Sequence, residues 1–486
     1  MRKSRESAVP EAAGVRPDAA FINPKFAYPI IKDKGVFYTK KWPNLSLAYC
    51  AALMERSGRR VAIVDAHAER LEPAQVAEKV RGVPDIFIST SPLDRWQCPV
   101  NRIDNVYEVI EAVRAASAGS RIFLMGPHAT TLPEKILTET PADVAILGEP
   151  ELTVRELGTG KRPEEIEGVA YREGGSIIVK PPTAFIDLDD LPLPALHLLP
   201  MDRYFFDFLG RRFTVLEGTR GCPFRCTFCY KDMYGPFRAK SSIRLIAEIE
   251  QAYEKFGVRN AYFADLTFTI DTALVRDMCD AIVARGYKLR WACQTRLDRI
   301  DGEILEKMRD AGCRLIEVGV ESGTEAIVRG TNKYIPPKTI TDGLRQIRRL
   351  GMESAAFMLL GLPGETPEDM GRSIRAVRKM APTYVAFNVV VPYTEVGNAE
   401  LFDPSAERAV FFPARWPGHS EKELDAMLRR GMVSFYARPR TLMTLLRNPR
   451  AFLRKIGLFF AAIRAGRRRP PSDRGPGEVD GKNRSL

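Results

Sequence analysis

Apolar and polar positions alternate in blocks through residues 18–160. Apolar runs at 19–23, 60–66, 85–89, 121–125 and 143–147 are short and bounded by turn residues. Runs of that length and composition predict buried strands. Between and after them, segments 45–57, 73–80, 106–116, 132–139 and 152–157 predict helices. Strict strand–helix alternation argues for a parallel sheet covered on both faces. Five such units suit a flavodoxin-like doubly wound α/β domain. A hairpin is expected within 168–180, turning at Gly174-Gly175, and the proline-rich stretch 186–192 reads as a linker.

The alternation then resumes. Strands are predicted at 213–217, 260–264, 289–293, 314–320, 355–360 and 384–391. Helices are predicted at 243–256, 273–285, 302–311, 337–350 and 368–380. That makes six βα-type repeats. The predicted division is a disordered N-terminus (1–17), a first domain (18–160), a connector with a hairpin (161–211), a second domain (212–400), a helical C-terminal region (401–466) and a disordered tail (467–486).

Composition narrows the classes of function. The 486 residues hold eight cysteines, too few and too scattered for a disulfide framework. Cys50, Cys98, Cys279, Cys293 and Cys313 sit among apolar residues and read as small buried hydrophobes. A reducing cytoplasm fits this usage. The first residues lack the apolar run of a signal peptide, and no stretch reaches the roughly 18 apolar residues of a spanning helix. The net charge of +12 is matched by twelve Arg or Lys between Arg429 and Arg469, a stretch without Asp or Glu. The basicity is therefore local and does not support a nucleic-acid surface spread over the fold.

The chemistry sits in Cys222-Pro-Phe-Arg-Cys226-Thr-Phe-Cys229. Thiolates are the usual ligands of iron–sulfur clusters, and three of them leave one iron of a four-iron four-sulfur (4Fe-4S) cluster open. S-adenosylmethionine could chelate that iron through its amino and carboxylate groups. Structural zinc is the competing reading. It usually needs four ligands in paired units, and neither a further Cys nor a His lies nearby.

With Phe228 just before the last cysteine, this motif resembles the radical S-adenosylmethionine (SAM) signature. Together with the alternating segment ahead of it, the chain from about 18 to 400 resembles the cobalamin-dependent class of radical SAM enzymes. The resemblance implies a cobalamin-binding domain followed by a partial (β/α)6 barrel. It implies reductive cleavage of SAM to a 5′-deoxyadenosyl radical, with an external flavodoxin- or ferredoxin-type electron donor. Polar residues at strand ends are then expected at the site. Phe228, Asp265, Arg296, Glu321, Ser322, Gly361 and Gly364 are the expected SAM contacts. An ion pair for Arg296 and a helix cap for Asp265 are equally consistent with their positions. Ser89, Thr90, Ser91, Gly126, His128, Thr130, Thr131, Gly148 and Glu149 lie in the strand-to-helix turns expected to border cobalamin; ordinary capped turns are the plain alternative. Other cobalamin proteins carry Asp-x-His-x-x-Gly, with the His on cobalt. Here Asp65-Ala66-His67 lacks the glycine, so His67 is expected to be a solvated turn residue.

The resemblance implies methylation of an unactivated carbon in a small-molecule or lipid substrate. Oxidative cyclisation without net methyl transfer is the alternative. A transfer-RNA methylthiotransferase would need three N-terminal cysteines, and only Cys50 and Cys98 precede the motif. Near the C-terminus, Phe452, Ile456, Phe459, Phe460 and Ile463 recur at helical spacing among arginines. This stripe could dock on an anionic membrane surface or pack against the barrel. Nucleic acid is not expected there, because Tyr and Trp are not interleaved.

Overall fold

The computed structural model describes residues 16–28, 36–37, 41–91, 102–230, 235–391, 408–409, 411 and 418–439. The basic apolar stripe at 450–469 lies outside the described residues.

The first sheet has seven strands: β1 (Ala19–Asn23), β2 (Val61–Asp65), β3 (Asp85–Ser89), β4 (Arg121–Met125), β5 (Val144–Ile146), β6 (Val169–Glu173) and β7 (Ser176–Lys180). Their spatial order is β2-β1-β3-β4-β5-β6-β7. The first five are parallel in the 2-1-3-4-5 order of a doubly wound fold. The hairpin expected in the connector does more than join two units. β6 pairs antiparallel with β5 and extends the sheet, so the edge groups of β5 find partners.

Helices α1 (Leu45–Arg56), α2 (Pro73–Lys79), α3 (Asp104–Ala116), α4 (Pro133–Glu139) and α5 (Pro150–Gly158) cross between the strands. Asn44 caps α1 by accepting from the Leu47 N–H. Every residue of α1 from Leu45 to Met54 is buried. A helix apolar all round must be covered all round. The first sheet covers one side of α1, and its other side reaches the second half of the chain, where the Tyr49 hydroxyl meets Glu248 at 2.7 Å.

The second sheet has six parallel strands in chain order: β8 (Phe213–Leu216), β9 (Asn260–Phe263), β10 (Arg290–Thr295), β11 (Cys313–Glu321), β12 (Glu353–Leu360) and β13 (Tyr384–Val389). Helices α6 (Ser242–Glu250), α7 (Thr272–Ala284), α8 (Gly302–Asp310), α9 (Pro337–Arg349) and α10 (Pro367–Met380) connect them, and α11 (Glu421–Tyr436) comes after the last strand. Consecutive parallel strands joined by outer helices make an open barrel whose polar strand ends share one rim. A single apolar cluster spans both sheets. In it Phe21, Phe87 and Phe123 stack at 4.6 and 4.7 Å, and Trp42 packs on Phe206, Phe213 and Tyr262. No described helix is long and apolar enough to cross a membrane.

Candidate active site

The cysteine loop begins where β8 ends. Buried Asp265, beyond β9, accepts from the Gly218 N–H at 3.1 Å and the Thr219 hydroxyl at 2.6 Å. Asp265 caps no helix; it holds the exit of β8. Burial pushes its carboxyl up to about 7, against the lowering effect of the two donors. Thr219-Arg220 then pairs antiparallel with Arg238-Ala239 and closes the loop at its base. Gly221 has φ +75°, and a Cβ there would lie 2.7 Å from the Pro236 carbonyl oxygen. Glycine is required at this point.

Cys226 is buried, Cys222 and Cys229 are half-buried, and none of the seven described cysteines is in a disulfide. The Cys222 Sγ lies 3.7 Å from the Thr267 hydroxyl. The Thr227 N–H donates to the Thr331 carbonyl at 3.0 Å. The Phe224 ring stacks under the Arg296 guanidinium at 3.9 Å. Phe228 faces the Lys333 ammonium at 5.8 Å. Among the described residues, no three His, Cys, Asp or Glu side chains converge on a single-ion position. A four-iron cluster asks for wider spacing, because each thiolate takes a different iron. Three thiols on one short loop suit that donor set.

The other expected SAM contacts lie at the ends of β10 to β12. Arg296 makes the ion pair considered for it, to Asp298 at 2.9 Å through Nη2. Its Nη1 is buried with no hydrogen-bond partner, a donor suited to a carboxylate. Glu321 ends β11 in the left-handed region, with φ +64°, next to an irregularity in the pairing with β12. A non-glycine residue there is strained, and such strain gathers at functional sites. Its carboxylate pairs with Lys333. The Ser322 hydroxyl contacts Glu365 at 3.3 Å and Ser373 at 2.9 Å. Glu365 accepts from the Gly361 and Leu362 N–H groups at 2.8 and 3.2 Å. Gly361 and Gly364 both have positive φ, so this turn folds tightly around the carboxylate. Burial pushes Glu365 up to about 7. The His419 Nε2–H donates to the Glu365 carbonyl at 2.6 Å. Lys333, Ser373 and His419 were not expected from sequence. They come from a loop, a helix and the C-terminal region, and carry no local motif.

The turns after β3, β4 and β5 lie together at the edge of the first sheet. Ser89, Thr90 and Ser91 are buried. Asn44 donates to the Ser89 hydroxyl at 3.2 Å, and the Thr90 N–H donates to the Met125 carbonyl at 2.8 Å. The Thr90 hydroxyl is buried with no hydrogen-bond partner, which fits a polar ligand rim. Gly126 has φ 113° and ψ −172°, a glycine conformation, at the start of the short helix Pro127–Thr131. Thr130 bridges the Gly126 carbonyl and the Gly148 N–H, both at 3.0 Å. His128 is fully buried with its ring edge-on to Phe411 at 4.9 Å.

Two residues are engaged differently from expectation. His67 is not solvated: it is 6 % exposed, and its Nδ1 accepts from the Phe26 N–H at 3.3 Å. Asp65 beside it is buried between Asn23, the Ala68 N–H and the Tyr204 hydroxyl. The segment 65–67 is thus tied down by partners distant in sequence. Glu149, expected at cobalamin, gives its carboxylate to Arg220 at 2.9 Å and to Arg238. Arg220 also pairs with Glu151 and Glu217 at 2.9 and 2.8 Å, entirely buried. Beside it, Lys240 and Glu248 pair at 2.8 Å, both fully buried, and Tyr49 of α1 bonds to each at 2.7 Å. These charges join the first sheet to the base of the cysteine loop.

The chain matches the B12 binding domain over residues 37–158 and the radical SAM superfamily over 216–377. It is similar to an uncharacterized methyltransferase of Pyrococcus horikoshii, 28% identical over 82% of this chain and 89% of the relative. It is also similar to the anaerobic magnesium-protoporphyrin IX monomethyl ester cyclase of Cereibacter sphaeroides, 26% identical over 76% of this chain and 61% of that protein. In fold it resembles TsrM of Kitasatospora setae, a radical SAM methyltransferase solved with cobalamin and a 4Fe-4S cluster bound. The TM-score is 0.64 at 17% identity, covering 84% of each chain. Fold and site define a radical SAM enzyme. The chain belongs to the cobalamin-dependent radical SAM family, whose cofactors are a 4Fe-4S cluster, SAM and cobalamin.

Proposed function

We propose that this enzyme transfers a methyl group to an unactivated carbon of a small-molecule or lipid substrate. The observation that supports this most is the likeness to the Pyrococcus horikoshii methyltransferase, which runs through both cofactor-binding units. When bound, the cluster with SAM supplies a hydrogen-abstracting radical, and cobalamin supplies a transferable methyl group.

On this reading Cys222, Cys226 and Cys229 hold three irons. Arg296 offers its Nη1 to the SAM carboxylate. Glu321, Ser322 and the turn from Gly361 to Gly364 border the rest of SAM, with Phe228 and Asp265 shaping the loop side. Ser89 to Ser91, Gly126, His128, Thr130, Thr131 and Gly148 line the cobalamin edge. Glu149 acts one step back, by holding Arg220. These residues fix three reacting partners and exclude water, so no side chain need act as a nucleophile. A small external electron donor is required, because the reaction begins with one-electron reduction.

The test is reconstituted enzyme supplied with SAM carrying a deuterated methyl group. Product gaining the label supports methyl transfer. Product altered without label supports the second reading, an oxidative cyclisation, which the likeness to the Cereibacter sphaeroides cyclase favours. A Cys226→Ala control should hold no cluster and release no 5′-deoxyadenosine.

A further inference from the structure

We infer that Tyr230 is a positioning residue that couples the two cofactor sites, so that corrin bound at the turn after β4 stabilises the cluster loop, and the cluster loop stabilises corrin binding in return. This rests on the cofactor placement proposed above.

Tyr230 directly follows Cys229, yet its ring leaves the barrel. It is 4 % exposed and packs in the apolar cluster of the first sheet, alongside Ala129. Its hydroxyl lies 3.1 Å from the Pro127 carbonyl, to which it donates. With that proton committed, the phenol oxygen accepts from the Thr131 hydroxyl at 2.6 Å. Pro127 and Thr131 are the first and last residues of the short helix after Gly126. The loop's other end is fixed separately, where buried Arg220 pairs with Glu149, in the turn after β5, and with Glu151, in the first turn of α5. The last cysteine is thus one residue from an anchor on the corrin-side turn. Any displacement of that turn moves Cys229, and loss of iron from Cys229 frees the turn. Linkage makes this coupling equal in both directions.

The experiment uses full-length protein reconstituted anaerobically with iron and sulfide. The rate of iron loss to bathophenanthroline disulfonate is followed with and without saturating hydroxocobalamin. Hydroxocobalamin should slow the wild-type loss about fivefold or more, if the lower range of ordinary affinity coupling falls on the release step. Tyr230→Phe keeps the buried ring and still binds hydroxocobalamin, but most of that slowing should vanish. Thr131→Val should lose part of it, and the double variant should lose no more than Tyr230→Phe alone, because both remove one connection. Iron loss in wild type that ignores bound hydroxocobalamin overturns the coupling alone. So does full slowing in Tyr230→Phe. Failure of wild type to take up hydroxocobalamin overturns the cofactor placement and this inference with it.

Discussion

Gly221 shows how one residue sets the site. A Cβ at this position meets the carbonyl oxygens of Pro236 and Gly235 at 2.7 and 2.8 Å, and φ is already unfavourable for any other residue. Gly221→Ala should cost on the order of 1–3 kcal/mol and displace Cys222. Reconstitution followed by iron assay should find less than the wild-type cluster content, although all three cysteines remain. Asp265 and Glu365 give a pH signature. Burial raises both carboxyls to about 7, so the folded state keeps protons that the unfolded chain has released. Their contribution to stability is therefore present at low pH and is lost as pH rises from about 4 to about 7. Asp265→Asn should flatten this decline relative to wild type, by on the order of a few kcal/mol across that window. Urea midpoints at about pH 5 and pH 8 would measure it. An equal decline in both proteins would mean that Asp265 does not carry it. At this scale the cysteine spacing made the family legible, and the radical SAM match covers the motif. The environments of His67 and Glu149 were not: the partners of Glu149, Arg220 and Arg238, lie 71 and 89 positions away.

At the scale of elements, the last barrel strand needs cover. Among the described residues, β13 pairs with β12 along one side only. On its other side the Tyr436 hydroxyl of α11 donates to the Val385 carbonyl at 2.7 Å and accepts from its N–H at 3.1 Å. Gly431 lets α11 approach, since a Cβ there would sit 3.0 Å from Phe387. Tyr436→Phe strips both backbone groups of their partner and should cost about 1–3 kcal/mol. Amide exchange at Val385 should quicken in parallel, and unchanged protection there would contradict the assignment. Most strand and helix positions were legible, because β1, β3 and β4 are apolar runs with sharp punctuation. The union of β5 with the hairpin was not, since an edge strand's choice of partner is written in neither segment.

At the scale of the molecule, the two sheets share one apolar cluster and a set of buried charges at their joint. The protein should therefore unfold in one calorimetric transition, with van't Hoff and calorimetric enthalpies in agreement. Arg220→Met leaves Glu149, Glu151 and Glu217 without their shared cation. It should destabilise the whole chain by about 3–5 kcal/mol. Two separate transitions in wild type, or an unaffected melting point in Arg220→Met, would show that the joint is loose.

The joint also constrains inheritance. A chimera that grafts another protein's corrin unit onto this barrel inherits a seam, not a linker. Tyr49, Thr131, Glu149 and Glu151 would arrive from one parent, and Arg220, Tyr230, Lys240 and Glu248 from the other. A mismatch at the charged positions strands a buried ion. Functional hybrids should therefore be recovered when these eight positions travel as a set, and they should be rare when the exchange is cut in the intervening connector alone.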